Sequence, residues 1–299
     1  MTGITAEPGD RVAFVLSGGA SLGAIQVGML HALYERGIAP DLLIATSVGA
    51  LNAAFIASRP PTVRTATTLT DVWSGLHHRD VFPLSPWTAL LGLLGKSDHF
   101  VSARRLRRMV KRRLEFDSLD RAPTPLHVIA TDLLTGAERR LSAGPAVDAV
   151  LASAALPGVF PPVRFGDRRL IDGGVTNNTP ISQALALGAT RVYVLPTGYA
   201  CALRRPPGSA LGVAAHALSL LIQQRLVNDI QRIPDGFPMI VLPPPCPLAV
   251  TPADFSYSAE LIRRSLAGSR AVLDLAGAAD APRTVVPDNM RSPYHEHPG

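Results

Sequence analysis

Three short stretches of this chain combine small residues with groups that can do chemistry. Ala45-Thr46-Ser47-Val48-Gly49 is a near-match to G-x-S-x-G, in which a serine sits at a sharp turn from a strand into a helix. Small neighbours are needed because such a turn packs tightly. The helix that follows aims its partly positive N-terminus at the serine, which favours an alkoxide. Ala45 stands in place of the first glycine of the pattern, and Gly49 is the second. Alone, the pentapeptide allows two readings, a nucleophile or a serine that caps a helix.

The second stretch is Ser17-Gly18-Gly19-Ala20-Ser21-Leu22-Gly23. Its glycines let backbone N–H groups come close to an anion. A P-loop is excluded because Ala24-Ile25 follows Gly23, and the spacing also departs from G-x-G-x-x-G. What remains is an oxyanion site, in which one donor is worth about 3 kcal/mol, or simple close packing of a helix on a strand. The third stretch is Asp172-Gly173-Gly174. It reads as a turn, or as a carboxylate within reach of a serine hydroxyl whose proton it can take.

The surrounding pattern supplies elements to position these groups. Val12–Leu16 and residues 41–46, DLLIAT, are apolar runs that each break at a small-residue turn into a helical pattern. The first helix is expected to end at Gly37 and the second before Pro60-Pro61. Residues 126–133 and 191–197 read as further strands, and residues 210–232 as a helix ending before Pro234. Strands alternating with helices predict a mostly parallel sheet. The expected organisation is an N-terminal tail over 1–10, one domain over 11–279 and a loosely ordered tail over 280–299.

Four segments together resemble the patatin-like phospholipase family. LSGGASLGAIQVGML is similar to that family's glycine-rich loop and first helix, and ATSVGALNAA to its nucleophile elbow. ASAALPGVFPPV resembles its mid-chain signature, and LIDGGVTNNTPI the block that holds its aspartate. They occur in the family's order, and the resemblance covers roughly residues 11–200. It implies a three-layer α/β fold, a central mostly parallel sheet with helices on both faces. It also implies a Ser47–Asp172 dyad without a catalytic histidine, an oxyanion hole from the N–H groups of Gly18, Gly19 and Ala20, and no metal or organic cofactor. The implied reaction is hydrolysis of fatty-acyl esters of phospholipids, lysophospholipids or neutral lipids through an acyl-enzyme. Alternatives are acyl transfer to a lipid alcohol and a scaffold that binds lipid without turnover. The family loop usually reads G-G-G-x-[RK]-G, so Ala20 and Leu22 depart from it.

Composition adds partner classes. Hydrophobic residues make up 47% of the 299, enough for one large core, and the net charge of +6 comes from arginine, with Lys96 and Lys111 the only lysines. Residues 104–114, RRLRRMVKRRL, place Leu106, Met109, Val110 and Leu114 at helical spacing among seven basic residues. This is either a peripheral membrane helix or an ordinary surface helix with a solvated face. Residues 84–95 are apolar and suit an acyl pocket or lid, or plain core packing. The basic residues lack interleaved aromatics, so nucleic acid is not an expected partner. His127 and His216 read as structural histidines, and Cys201 and Cys246 as free thiols. The N-terminus lacks a signal-peptide pattern, and the expectation is a cytoplasmic protein with peripheral membrane contact.

Overall fold

The computed structural model describes residues 9–82, 99, 101–198, 208, 210–246, 250, 253–277 and 283–287. The apolar segment 84–95 lies outside them. The N-terminal half opens with β1 (Val12–Leu16), a 3-10 turn (Ala20–Gly23), α1 (Ala24–Glu35), β2 (Leu42–Thr46) and α2 (Val48–Ala57). Next come α3 (Val63–Ser74), α4 (His78–Val81), α5 (Arg104–Arg113), β3 (Leu126–Asp132), β4 (Glu138–Leu141) and α6 (Ala146–Ser153). The remainder comprises β5 (Val163–Phe165), β6 (Arg168–Asp172), α7 (Ile181–Ala186), β7 (Arg191–Leu195), α8 (Ala210–Gln231), β8 (Met239–Val241), α9 (Ser258–Ala276) and β9 (Thr284–Val285).

The strands form one sheet in the order β5-β6-β3-β2-β1-β7-β8-β9, with β4 also paired to β3. The run β3-β2-β1-β7-β8-β9 is parallel throughout, and the pairings of β3 with β4 and β6 and of β5 with β6 are antiparallel. Alternate residues of each central strand enter different cores. Phe14, Leu16, Leu43, Ala45 and Tyr193 pack with α1, α2, α3, α6 and α9, whereas Ala13, Val15, Ile44, Val192 and Val194 pack with α7 and α8. Covering both faces explains why these strands are apolar throughout, and each fully buried aliphatic side chain contributes about 1.5–3 kcal/mol. The expected three-layer α/β architecture is therefore present.

Some expectations shift. Helix α9 was not foreseen, yet it is the main cover of α1, with the Ser265 hydroxyl donating to the Ile25 carbonyl at 2.8 Å. Thr284–Val285 pairs with β8 inside the stretch expected to be a tail. Cys246 is disulfide-bonded, which overturns the free-thiol reading. Among the described residues, no helix is long and apolar enough to cross a membrane.

Candidate active site

Parallel strands β1 and β2 end side by side, with Leu16 opposite Ala45, so the loop after β1 and the turn after β2 meet at the C-terminal end of these central strands. Ser47 stands between β2 and α2 with φ +56° and ψ −125°. For a residue with a Cβ this backbone costs about 1–3 kcal/mol and has to be over-determined by its surroundings. Several contacts do so. The Ser47 N–H donates to Ser153 Oγ at 2.8 Å, and that buried hydroxyl donates to the Ile129 carbonyl of β3 at 2.5 Å. On the α2 side, Ala50 N–H donates to the Ser47 carbonyl at 2.9 Å.

Gly49 is required here. A Cβ on it would lie 2.4 Å from the Leu16 carbonyl oxygen and 2.6 Å from that of Ser17. Ala45 is different: it is buried and keeps a negative φ, so alanine in place of the pattern's first glycine leaves the turn intact.

Asp172 ends β6, with Ala130 of β3 as its register partner. Its N–H donates to Ala155 at 2.9 Å, and its carbonyl accepts from Thr131 Oγ1 at 2.9 Å. The carboxylate receives the Gly174 N–H on Oδ1 at 2.7 Å and the Ser47 hydroxyl on Oδ2 at 2.6 Å. Burial raises its pKa from 3.8 to about 6, against the opposing effect of those two donors. A carboxylate of that basicity, in direct contact with a hydroxyl, is mostly ionised at neutral pH and able to accept its proton. Thr46 Oγ1 also donates to the Asn177 carbonyl at 2.8 Å, tying β2 to the segment after Asp172.

His127 bonds Ser142 at 2.7 Å and lies in β3 opposite Ile44, two residues short of the level of Thr46. Burial lowers its pKa. His216 lies in α8, and among the described residues no hydrogen bond joins either histidine to Ser47.

The glycine-rich loop is held through its carbonyls. Gln26 donates to the Ser17 carbonyl at 2.8 Å, Thr197 Oγ1 to that of Gly18 at 2.5 Å, Leu22 N–H to that of Gly19 at 3.1 Å, and Asn52 to that of Gly23 at 3.0 Å. Asn52 also contacts Gln26 and Trp73, so one buried polar network backs the loop. Ala20 sits at φ +50°. Leu22, where the resemblance leads one to expect a basic residue, packs against the main core.

One expected donor drops out. The Gly18 N–H is spent on the Asn178 carbonyl at 3.1 Å. Among the described residues nothing accepts from the N–H groups of Gly19 and Ala20. Sequence reading missed the parts played by Ser153, Asn178 and Thr197. Ser153 lies inside the stretch ASAALPGVFPPV, but nothing local distinguishes it from its neighbours.

The patatin-like phospholipase family model matches residues 14–185, more than half of the chain. A patatin-like phospholipase domain-containing protein of Caenorhabditis elegans is 30% identical over 192 residues, 64% of this chain and 14% of that protein. An uncharacterized NTE family protein of Mycobacterium tuberculosis is 25% identical over 210 residues, 67% of this chain and 34% of that protein. This chain therefore spans only a minor part of the length of these relatives. VipD from Legionella pneumophila aligns at a TM-score of 0.49 and 15% identity, over 90% of this chain and 67% of that one. The family match takes in the glycine-rich loop, Ser47 and Asp172, and on its extent the chain belongs to the patatin-like phospholipase family.

Proposed function

We propose that this domain hydrolyses fatty-acyl esters of phospholipids, lysophospholipids or neutral lipids, with Ser47 as nucleophile and Asp172 as its base. The observation that carries this reading is the 2.6 Å contact between Ser47 Oγ and the buried Asp172 carboxylate. Asp172 takes the Ser47 proton as Oγ bonds to the ester carbon, and the carbonyl electrons move onto oxygen. The N–H groups of Gly19 and Ala20 and the N-terminus of α2 stabilise that oxyanion. When the intermediate collapses, the alcohol leaves with the proton. Asp172 then activates water against the acyl-enzyme, releasing the fatty acid and free Ser47.

A fluorophosphonate probe tests the assignment. The native protein is expected to label and Ser47→Ala is not, with ester hydrolysis lost in parallel. Labelling that persists in Ser47→Ala would remove Ser47 as nucleophile. Failure of the pure native protein to label or to hydrolyse esters of any chain length would favour the lipid-binding scaffold.

Surface chemistry supports lipid aggregates as the source of substrate. Leu133, Leu134, Leu156 and Val175 are exposed, Leu134 by 84%. Leu134 N–H bonds Asp132, the register partner of Leu170 in β6, and the other three are tied to the segment around Asp172. Leu133 N–H bonds the Arg169 carbonyl, Leu156 follows the Ala155 that accepts the Asp172 N–H, and Val175 is three residues beyond Asp172. On α5, Leu106 and Val110 are buried beneath an exposed basic face, on which Arg107 pairs with Asp148 at 2.6 Å. Leu134→Ser is expected to weaken co-sedimentation with phosphatidylglycerol vesicles several-fold; unchanged co-sedimentation would end the case for this rim as a lipid contact.

A further inference from the structure

Strand β7 lies parallel to β1 with Leu195 opposite Leu16, so the chain beyond β7 arrives beside the glycine-rich loop. Thr197 is buried there, outside the part of the chain that the family model matches. Its hydroxyl is 2.5 Å from the Gly18 carbonyl oxygen, and its N–H donates to Ser17 Oγ at 2.9 Å. The two other donors on that carbonyl, Ser17 Oγ and Asn178 Nδ2, are farther away, at 3.3 and 3.4 Å. Gly19 runs so close to Thr197 that a Cβ on it would stand 2.1 Å from Thr197 Oγ1. Glycine and threonine are fitted to each other at this point.

A trans peptide unit is planar, with its C=O and N–H pointing in opposite directions. The Gly18 carbonyl and the Gly19 N–H belong to one such unit. Fixing the carbonyl on Thr197 therefore fixes the Gly19 N–H facing away from Thr197. That N–H has no acceptor among the described residues, and the loop that bears it abuts the serine, since a Cβ on Gly18 would lie 2.9 Å from Ser47 Cβ. We infer that Thr197 is a positioning residue for the oxyanion site: its hydroxyl clamps the Gly18 carbonyl and so holds the Gly19 N–H in the orientation that receives the oxyanion. The inference rests on the hydrolase reading above. It assigns Thr197 no contact with substrate.

A donor that must reorient during the reaction loses much of the advantage of a preorganised one, for which complete removal costs about 10²–10³-fold in kcat. Thr197→Val keeps the shape and removes the hydroxyl. The expected result is a kcat lower by about 10–100-fold with KM within about twofold, because the ground-state ester makes little use of the donor. Affinity for a trifluoromethyl ketone, which forms an oxyanion on Ser47, should fall in step with kcat/KM. Affinity for a non-hydrolysable ether lipid should not change, and Thr197→Ser should recover most of the activity. Full kcat in the valine variant, equal loss of ether-lipid binding, or no recovery with serine would each overturn the inference. If Thr197→Val does not fold, Thr197→Ala reads out the same comparison. Labelling that persists in Ser47→Ala would instead strike the underlying hydrolase reading, so the two failures are distinguishable.

Discussion

Two neighbouring strand-to-helix junctions at the C-terminal end of the central strands solve opposite problems. Both contain a non-glycine residue at positive φ, Ser47 in one and Ala20 in the other, the only two among the described residues. At the Ser47 turn the strained residue is gripped directly: its N–H by Ser153, its hydroxyl by Asp172, its carbonyl by the first turn of α2. At the Ala20 loop the grip is mainly on carbonyls, through Gln26, Thr197, Leu22 and Asn52, with the Gly18 N–H held by Asn178, and among the described residues the N–H groups of Gly19 and Ala20 have no acceptor. On the proposed roles the contrast is expected: a nucleophile has to be fixed in place, whereas an oxyanion site has to keep donors unspent. The contrast teaches that strain at a reactive centre is tolerated by bonding the strained residue itself, while strain in a receiving loop is tolerated by bonding everything around it.

The largest expected effect comes from breaking the grip on the Ser47 hydroxyl. Asp172→Asn keeps the shape and removes the proposed base, so kcat should fall by about 10²–10⁴-fold. In the native protein, kcat/KM should rise with pH through about 6, where Asp172 loses its proton. Stability should move the other way. A carboxyl whose folded pKa is raised from 3.8 to about 6 binds more protons folded than unfolded across that window, so the native protein loses stability as pH climbs through it. Asp172→Asn carries no such cost and should be more stable at pH 7 by up to about 2–3 kcal/mol. That advantage should vanish near pH 4, as thermal melts at the two pH values would reveal. An asparagine variant that is less stable at pH 7 would contradict burial as the cause of the shift.

A smaller effect is expected from the grip on the Ser47 N–H. Ser153→Ala leaves that donor and the Ile129 carbonyl without the bridging hydroxyl. The expected loss of stability is about 1–3 kcal/mol, the usual cost of orphaning a buried polar group. The turn then has one constraint fewer to offset its backbone strain, and fluorophosphonate labelling should slow by about tenfold. Labelling at the native rate would mean that α2 and Asp172 hold the turn without Ser153.

These two junctions also mark how much was legible in the sequence. The strands that end at them were readable because they are buried on both faces and so are continuously apolar, bounded by glycine or small-residue turns. Ser47, Asp172 and Gly49 lie in local patterns whose spacing carries the chemistry. Ser153 and Thr197 were not readable as bracing residues, since each acts across more than 100 residues of chain on a group that only the fold brings near. Gly18 was misread for a related reason. A glycine in such a loop looks like a free donor until the tertiary fold places the Asn178 carbonyl in front of it. Local chemistry was visible; who accepts from whom was not.

The smallest expected effect tests the loop's side of the contrast. Ala20 pays about 1–2 kcal/mol for a left-handed backbone that glycine adopts freely. Ala20→Gly relieves this, but it also enlarges the unfolded ensemble at a cost of about 0.4–1 kcal/mol. The net gain should be about 0.5–1 kcal/mol, measured by denaturant unfolding. Activity distinguishes two views of the loop. If the carbonyl clamps alone orient the Gly19 and Ala20 donors, the glycine variant should keep kcat within about twofold, because those clamps bond to none of its side-chain atoms. A kcat that falls while stability rises would mean that the Ala20 methyl itself restricts the loop. The receiving loop would then share the nucleophile's strategy, and the distinction between the two junctions would be lost.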